Sequence, residues 1–199
     1  MNLPEAEDFI LHKLRSELPV TLFYHGLHHT LDVAEAVDRI ARAEGISDPE
    51  TLNLLRTAAL FHDAGFLFTY QDHEAKGCRL VREVLPGFDY SLGQIDTVCS
   101  MIEATKIPQS PKNQLEEIIC DADLDYLGRD DFDAIAESLY REQKVRDLVA
   151  DERTWDAIQI KFLESHHYWT HYAKTIRQPL KLHHIKQLRG INESSYPIG

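Results

Sequence analysis

Apolar residues recur at three- and four-residue spacing along almost the whole chain, and almost no segment alternates apolar with polar residues. A strand buries one face with a period of two, so this pattern restricts the chain to an all-α fold. Helices are predicted over residues 5–18, 48–64, 72–85, 91–105, 112–127, 131–149, 151–168 and 179–189. A further one starts between Gly26 and Thr30 and runs to Glu44. Boundary residues agree with this reading. Asp48 is suited to an N-cap and Pro49 to the first helical position, while Gly45 and Gly65 follow helix ends. The connectors PGFDYS, KIPQSPKN and GRDD are short, so no linker marks a domain boundary. The expected architecture is one compact multi-helix bundle, with the last helices packing on it as a lid or subdomain. The tail INESSYPIG is expected to be loosely held.

A chain of 199 residues can bury a core without disulfides. Its 33 acidic residues against 21 basic ones give a formal net charge of −12. Such a surface repels long polyanions, so an extended nucleic-acid interface is not expected. A small phosphorylated substrate is compatible, because it needs only a few local cations or a metal. Cys78, Cys99 and Cys120 follow no zinc-finger spacing and read as free thiols of a reducing compartment. The opening MNLPEAEDFILHKL has no apolar run of the signal-peptide kind, and no stretch of about 20 apolar residues suggests a membrane span. A cytoplasmic protein with no membrane partner is the expectation, and a homo-oligomer is compatible with it.

Eleven histidines ask for explanation. The segment LNLLRTAALFHDAG is apolar over most of its circumference, which marks a buried helix. His62 falls on the line of Leu52, Leu55 and Ala59, and Asp63 follows it at once. A carboxylate so near a core is unfavourable unless a cation compensates it. In HHTLDVAEAVDRIA, His29 shares a stripe with Val33, Ala36, Val37 and Ile40, whereas His28 shares one with Asp32, Glu35 and Arg39. The period therefore selects His29 over His28 as a ligand candidate. In LEEIICDADLDYLG, Asp121 stands three residues after Ile118 and three before Leu124 and can point inward; periodicity leaves Asp123 and Asp125 as alternatives. Two imidazoles and two carboxylates would then converge from three helices. That donor set suits one divalent ion (Mn²⁺, Fe²⁺, Co²⁺, Ni²⁺ or Zn²⁺), and the lack of cysteine ligands argues against a structural zinc site.

The ordered set His29, His62-Asp63 and Asp121 resembles the H…HD…D signature of the HD superfamily of metal-dependent phosphohydrolases. YHGLHHTLDV is similar to the opening motif of many members, ALFHDAGF and CDADLDYLG to the second and last motifs, and YQDHEAKG to the helix that follows HD. The resemblance covers about residues 20–130, leaving 131–190 as a C-terminal helical extension of a single HD-type domain. It implies His29, His62, Asp63 and Asp121 as metal ligands, with Asp121 as the first aspartate of the D-A-D run. It also implies a metal-activated water that cleaves a phosphomonoester or phosphodiester of a nucleotide-like molecule, with Asp63 as proton acceptor. A non-catalytic, nucleotide-sensing protein of the same fold is the alternative. Thr105, in the run MIEATK, stands where binuclear relatives carry a histidine, so one metal is expected and a di-iron oxygenase is disfavoured.

Substrate contacts are expected from His25, four residues before His29, and from His73, Glu74, Thr105 and Lys106. His73 shares a stripe with Leu80, Val81 and Val84, and Lys106 can hold a phosphate by charge. The segment FLESHHYWTHYAKTIRQPLKLHHIKQL is expected to cover the bundle, with Tyr168, Trp169 and Tyr172 packing and Lys174, Arg177 and Lys181 approaching the substrate. His167 and His171 are four apart, but no H-E-x-x-H accompanies them.

Overall fold

The computed structural model describes the backbone of residues 1–195 and the side chains of residues 1–190. Among the described residues, ten α-helices follow one another with three short 3₁₀ turns and no strand. The helices are α1 (Leu3–Glu17), α2 (Leu27–Ala43), α3 (Pro49–Phe61), α4 (His73–Val84), α5 (Leu92–Thr105), α6 (Gln114–Asp123), α7 (Phe132–Lys144), α8 (Glu152–Ser165), α9 (His171–Ile176) and α10 (Gln178–Ser195). The periodicity locates nine of them and misses α9, whose six residues are too few to show a period. Helix α10 runs past its expected end at residue 189, and the rest of the expected loose tail lies outside the described residues.

Local chemistry sets the helix starts. Asp48 accepts the Thr51 N–H at 2.8 Å with Pro49 opening α3, Ser91 and Gln94 form a capping box on α5, and Asn113, Asp151 and Thr170 cap α6, α8 and α9. Gly45 ends α2 in the left-handed region at φ +84°, where a side chain would be strained.

Helix α3 is the centre of the first layer, packed against α1, α2, α5 and α6. Its Leu55, Ala58, Ala59, Leu60 and Phe61 are fully buried with Ile10, Val37, Ile40, Val98 and Ile102. A second apolar cluster joins Tyr24, Leu124, Tyr126, Leu127, Phe132, Leu163 and Tyr168, and so ties the C-terminal helices to the end of α6. Cys78, Cys99 and Cys120 are buried free thiols. No helix among the described residues is long and apolar enough to cross a membrane.

One glycine decides how the chain returns over the end of α3. A Cβ on Gly65 would lie 1.8 Å from the His73 carbonyl oxygen, so only glycine lets the first residue of α4 press onto the turn after His62-Asp63. Gly65→Ala is expected to destabilise the protein by at least about 2 kcal/mol in urea denaturation, because backbone has to move. Gly93→Ala, on α5 with nothing within 4 Å of the new methyl group, should instead stabilise it by about 0.5 kcal/mol. Equal effects of the two substitutions would refute this account.

Candidate metal centre

Three elements aim donor atoms at one point. The first turn of α2 supplies His29, the last residue of α3 is followed by His62-Asp63, and α6 ends on Asp123. His29 Nε2 lies 3.1 Å from Asp123 Oδ1 and 3.4 Å from His62 Nε2. His62 Nε2 lies 3.4 Å from Asp123 Oδ1, and Asp63 Oδ2 is 3.2 Å from His62 Nε2 and 3.6 Å from His29 Nε2. His28 is exposed, as the helical phase requires.

The donor chemistry fits a cation. His62 Nδ1 is 2.7 Å from the Ala59 carbonyl oxygen, which can only accept, so this nitrogen carries the proton and Nε2 faces the cluster. Two imidazole nitrogens directed at each other are bridged either by a proton on one of them or by a metal ion. Asp63 Oδ2 is buried and accepts no hydrogen bond, an arrangement unfavourable for a carboxylate unless a cation compensates it. Burial opposes a charge on His62, but Asp63 and Asp123 outweigh it and raise the imidazole's affinity for a proton well above the ordinary value. Burial also opposes ionisation of Asp123, yet the hydrogen bonds of His29 and His62 hold its carboxyl below the usual range. Surroundings that favour a proton at this point favour a metal ion for the same reason. His29, His62 and Asp123 offer ligand atoms within 4.8 Å of one another, and Asp63 reaches both histidines.

Asp121 is not in this group, which corrects its expected place among the ligands. Its carboxylate accepts the Trp169 N–H at 2.9 and 3.1 Å and the Thr170 N–H at 2.7 Å, on the opposite side of α6. Burial pushes its carboxyl up to about 6 against those donors. Residues two apart on a helix point about 200° apart, so Asp121 and Asp123 serve different interfaces. The reading from Ile118 assumed one inward face, but Ile118, Ile119, Cys120, Asp121 and Ala122 are all buried. Asp125 serves a third interface. It is 1% exposed and accepts Arg39 Nη2 at 2.7 Å and Arg177 Nε at 2.7 Å.

His73 and His25 stand beside the cluster, their rings 4.0 and 4.3 Å from that of Phe66. His73 Nε2 is 3.4 Å from Asp63 Oδ1 and 3.6 Å from Glu74 Oε1. Burial disfavours the His73 cation, but the Asp63 carboxylate prevails and raises its pKa. Both histidines, Glu74 and Thr105 line a cavity of about 250 Å³ together with Asp63 and Asp123. The Thr105 hydroxyl donates to its own helix at Ile102 O, 2.8 Å away. Lys106 does not line the cavity; it is exposed and paired with Asp72 at 2.7 Å, which corrects the expected phosphate contact.

Glu142 of α7 went unrecognised in the sequence. It is fully buried and accepts the backbone N–H groups of Tyr24 and His25 at 2.8 and 3.1 Å, His25 Nδ1 at 2.5 Å and the Tyr70 hydroxyl at 3.1 Å. Burial would raise its carboxyl, but these donors hold it below its ordinary value. The available signal was a carboxylate three residues after Leu139 and seven after Ile135, on an apolar stripe. The expected approach of Lys174, Arg177 and Lys181 to the substrate does not occur. Lys174 donates to Trp169 O, Arg177 holds Asp125, and Lys181 is buried against the His166 carbonyl. His167 and His171 are both exposed.

Asp123→Ala is expected to abolish Mn²⁺ or Co²⁺ binding in calorimetry. Asp121→Ala should retain it while losing about 3 kcal/mol of stability, because two buried N–H donors lose their acceptor. His28→Ala should change neither. Loss of metal from the Asp121 variant with retention in the Asp123 variant would reverse the assignment.

The HD domain family matches residues 26–127, which contain the whole cluster. The fold is similar to the crystal structure of a predicted HD superfamily hydrolase from an uncultured Thermotogales bacterium, at 20% identity and a TM-score of 0.62, covering 96% of this chain and 91% of that one. No curated protein matches the chain. With more than half of its length matched and its histidine-aspartate cluster at the centre of the matched region, the chain belongs to the HD-domain family.

Proposed function

We propose that the protein is a metal-dependent phosphohydrolase that cleaves a phosphomonoester or phosphodiester of a small, nucleotide-like substrate. The observation that carries this reading is the meeting of His29 Nε2 and His62 Nε2 at 3.4 Å beside the buried Asp63 Oδ2, 3.2 Å from His62 Nε2. Membership of a family made up largely of such enzymes supports it.

His29, His62, Asp63 and Asp123 would hold one divalent ion. The ion supplies Lewis acidity to a phosphoryl oxygen and makes water a nucleophile near neutral pH. The protein's own groups supply the rest. Asp63 Oδ1 faces His73 Nε2 and so provides a proton acceptor and a proton donor side by side at the cavity wall. Glu142 fixes the His25 ring by its Nδ1, which sets the orientation of that imidazole on the same wall. Phe66 packs against both the His25 and the His73 ring and so restrains their orientation.

Protein loaded with Mn²⁺, Co²⁺, Ni²⁺, Fe²⁺ or Zn²⁺ should hydrolyse members of a phosphomonoester and phosphodiester panel, and chelation should remove the activity. Asp63→Ala should lower kcat/KM by at least about 100-fold, since weakening even an indirect metal contact costs 10–100-fold. Bound metal with no turnover of any phosphoester, and with nucleotide binding intact, would favour the non-catalytic sensing alternative.

A further inference from the structure

The cavity that receives the cluster is chemically divided. Its carboxylates, Asp63, Glu74 and Asp123, and its two histidines, His25 and His73, come from the loop before α2, the turn after α3, the start of α4 and the end of α6. Its other wall, formed by the turn Asp125–Gly128 with α7 and α8, carries Leu127, Phe132, Leu139, Trp155, Ile158 and Leu163. Gln143 and Gln159 add carboxamides there, which can satisfy one uncharged polar edge. Among the described residues, no lysine or arginine lines the cavity. Two cations of the nearby C-terminal layer, Arg177 and Arg129, are taken up by Asp125 and by Asp32 and Asp131.

The geometry points to a substrate class: an ester with a single phosphoryl group, whose remaining part is uncharged and largely apolar or aromatic and fills the chamber between the 125–128 turn, α7 and α8. This rests on the phosphohydrolase reading above for what happens at the phosphoryl group. A phosphoryl group at the cluster end would have the ion held by His29, His62, Asp63 and Asp123, and the imidazoles of His25 and His73, to compensate its charge. A second phosphate carried to the far wall would be partly desolvated against apolar side chains and meet no lining cation, which is unfavourable. Nucleoside di- and triphosphates that enter lengthwise, and oligonucleotides, are therefore excluded. At about 250 Å³ the chamber lies just below the range of about 300–1,000 Å³ that holds drug-sized ligands, so it takes one compact group.

The sequence contains two tryptophans, and Trp155 lines the chamber whereas Trp169 does not. In a Trp169→Phe background, Trp155 fluorescence reports binding without any need for turnover, with calorimetry as the second readout. Three probes suffice with the metal-loaded full chain: methyl phosphate, hexyl phosphate, and hexane-1,6-diyl bisphosphate, which adds only a far-end charge. Hexyl phosphate is expected to bind on the order of 30-fold tighter than methyl phosphate, as burial of half its methylene groups requires. The bisphosphate should bind at least about 10-fold more weakly than hexyl phosphate. Ile158→Lys, at a wall position that is 40% exposed, should narrow or reverse that last difference.

Equal affinity for the methyl and hexyl esters, a bisphosphate that binds as tightly as the monoester, or calorimetric binding that leaves Trp155 silent would each overturn the assignment. The ligand comparison stands without the Ile158 variant. The expected binding pattern without metal-dependent turnover defeats the phosphohydrolase reading alone. Turnover indifferent to the length and far-end charge of the ester defeats this inference alone.

Discussion

Buried carboxylates govern this molecule, and what compensates each one decides its role. The run CDADLD at the end of α6 places three of them on alternate residues. Asp121 meets backbone N–H groups ahead of α9, Asp123 meets two imidazoles, and Asp125 meets the guanidinium groups of Arg39 and Arg177. Asp63, from the end of α3, has one oxygen beside His73 and another with no hydrogen-bond donor. Backbone donors and guanidinium groups are permanent partners, so Asp121 and Asp125 are structural. Asp123 and Asp63 are compensated by groups that can exchange a proton for a metal ion.

The C-terminal helices consequently belong to the site as much as the central layer does. Helix α7 delivers Glu142 beneath His25, the segment before α9 fixes Asp121, and Arg177 between α9 and α10 fixes Asp125. Each contact restrains the end of α6 or the loop before α2, which carry Asp123 and His25. Were the extension removed, Asp121 would lose the Trp169 and Thr170 N–H donors and Asp125 would lose Arg177 and keep Arg39, so the end of α6 would lose contacts that fix it. The same helices α7 and α8 supply the apolar wall of the cavity.

The helical fold was legible because an apolar period of three and four needs no tertiary information, and it locates nine of the ten helices among the described residues. The choice of His29 over His28 was legible for the same reason: α2 has one buried face, so phase alone separates adjacent residues. That logic breaks down on α6, which is covered on opposite sides by α2 and by the C-terminal layer. A helix buried all round has no outward face to exclude candidates, so Asp121 and Asp123 were indistinguishable by period, and the motif resemblance pointed to the wrong one. Glu142 was hidden for a different reason. Its partners Tyr24 and His25 are 118 and 117 residues away, and no local pattern reports so distant a donor. Lys106 was misjudged because charge alone does not reveal that Asp72 stands within 2.7 Å.

The buried Oδ2 of Asp63 also couples stability to function. It lies 3.2 Å from His62 Nε2, just before the turn at Gly65 that presses against His73. A ligand that binds only the folded state stabilises it by about 2.7 kcal/mol at a hundredfold excess over Kd. A cation at the cluster would therefore act twice, by relieving Asp63 and by joining α2, α3 and α6 through their donor atoms. The rigid parts of the fold, Asp121 and Asp125 with their fixed partners, hold the frame around this group. Donors that can exchange a proton for a metal ion, held inside a frame of permanent pairs, are what a binding site for an exchangeable ion requires.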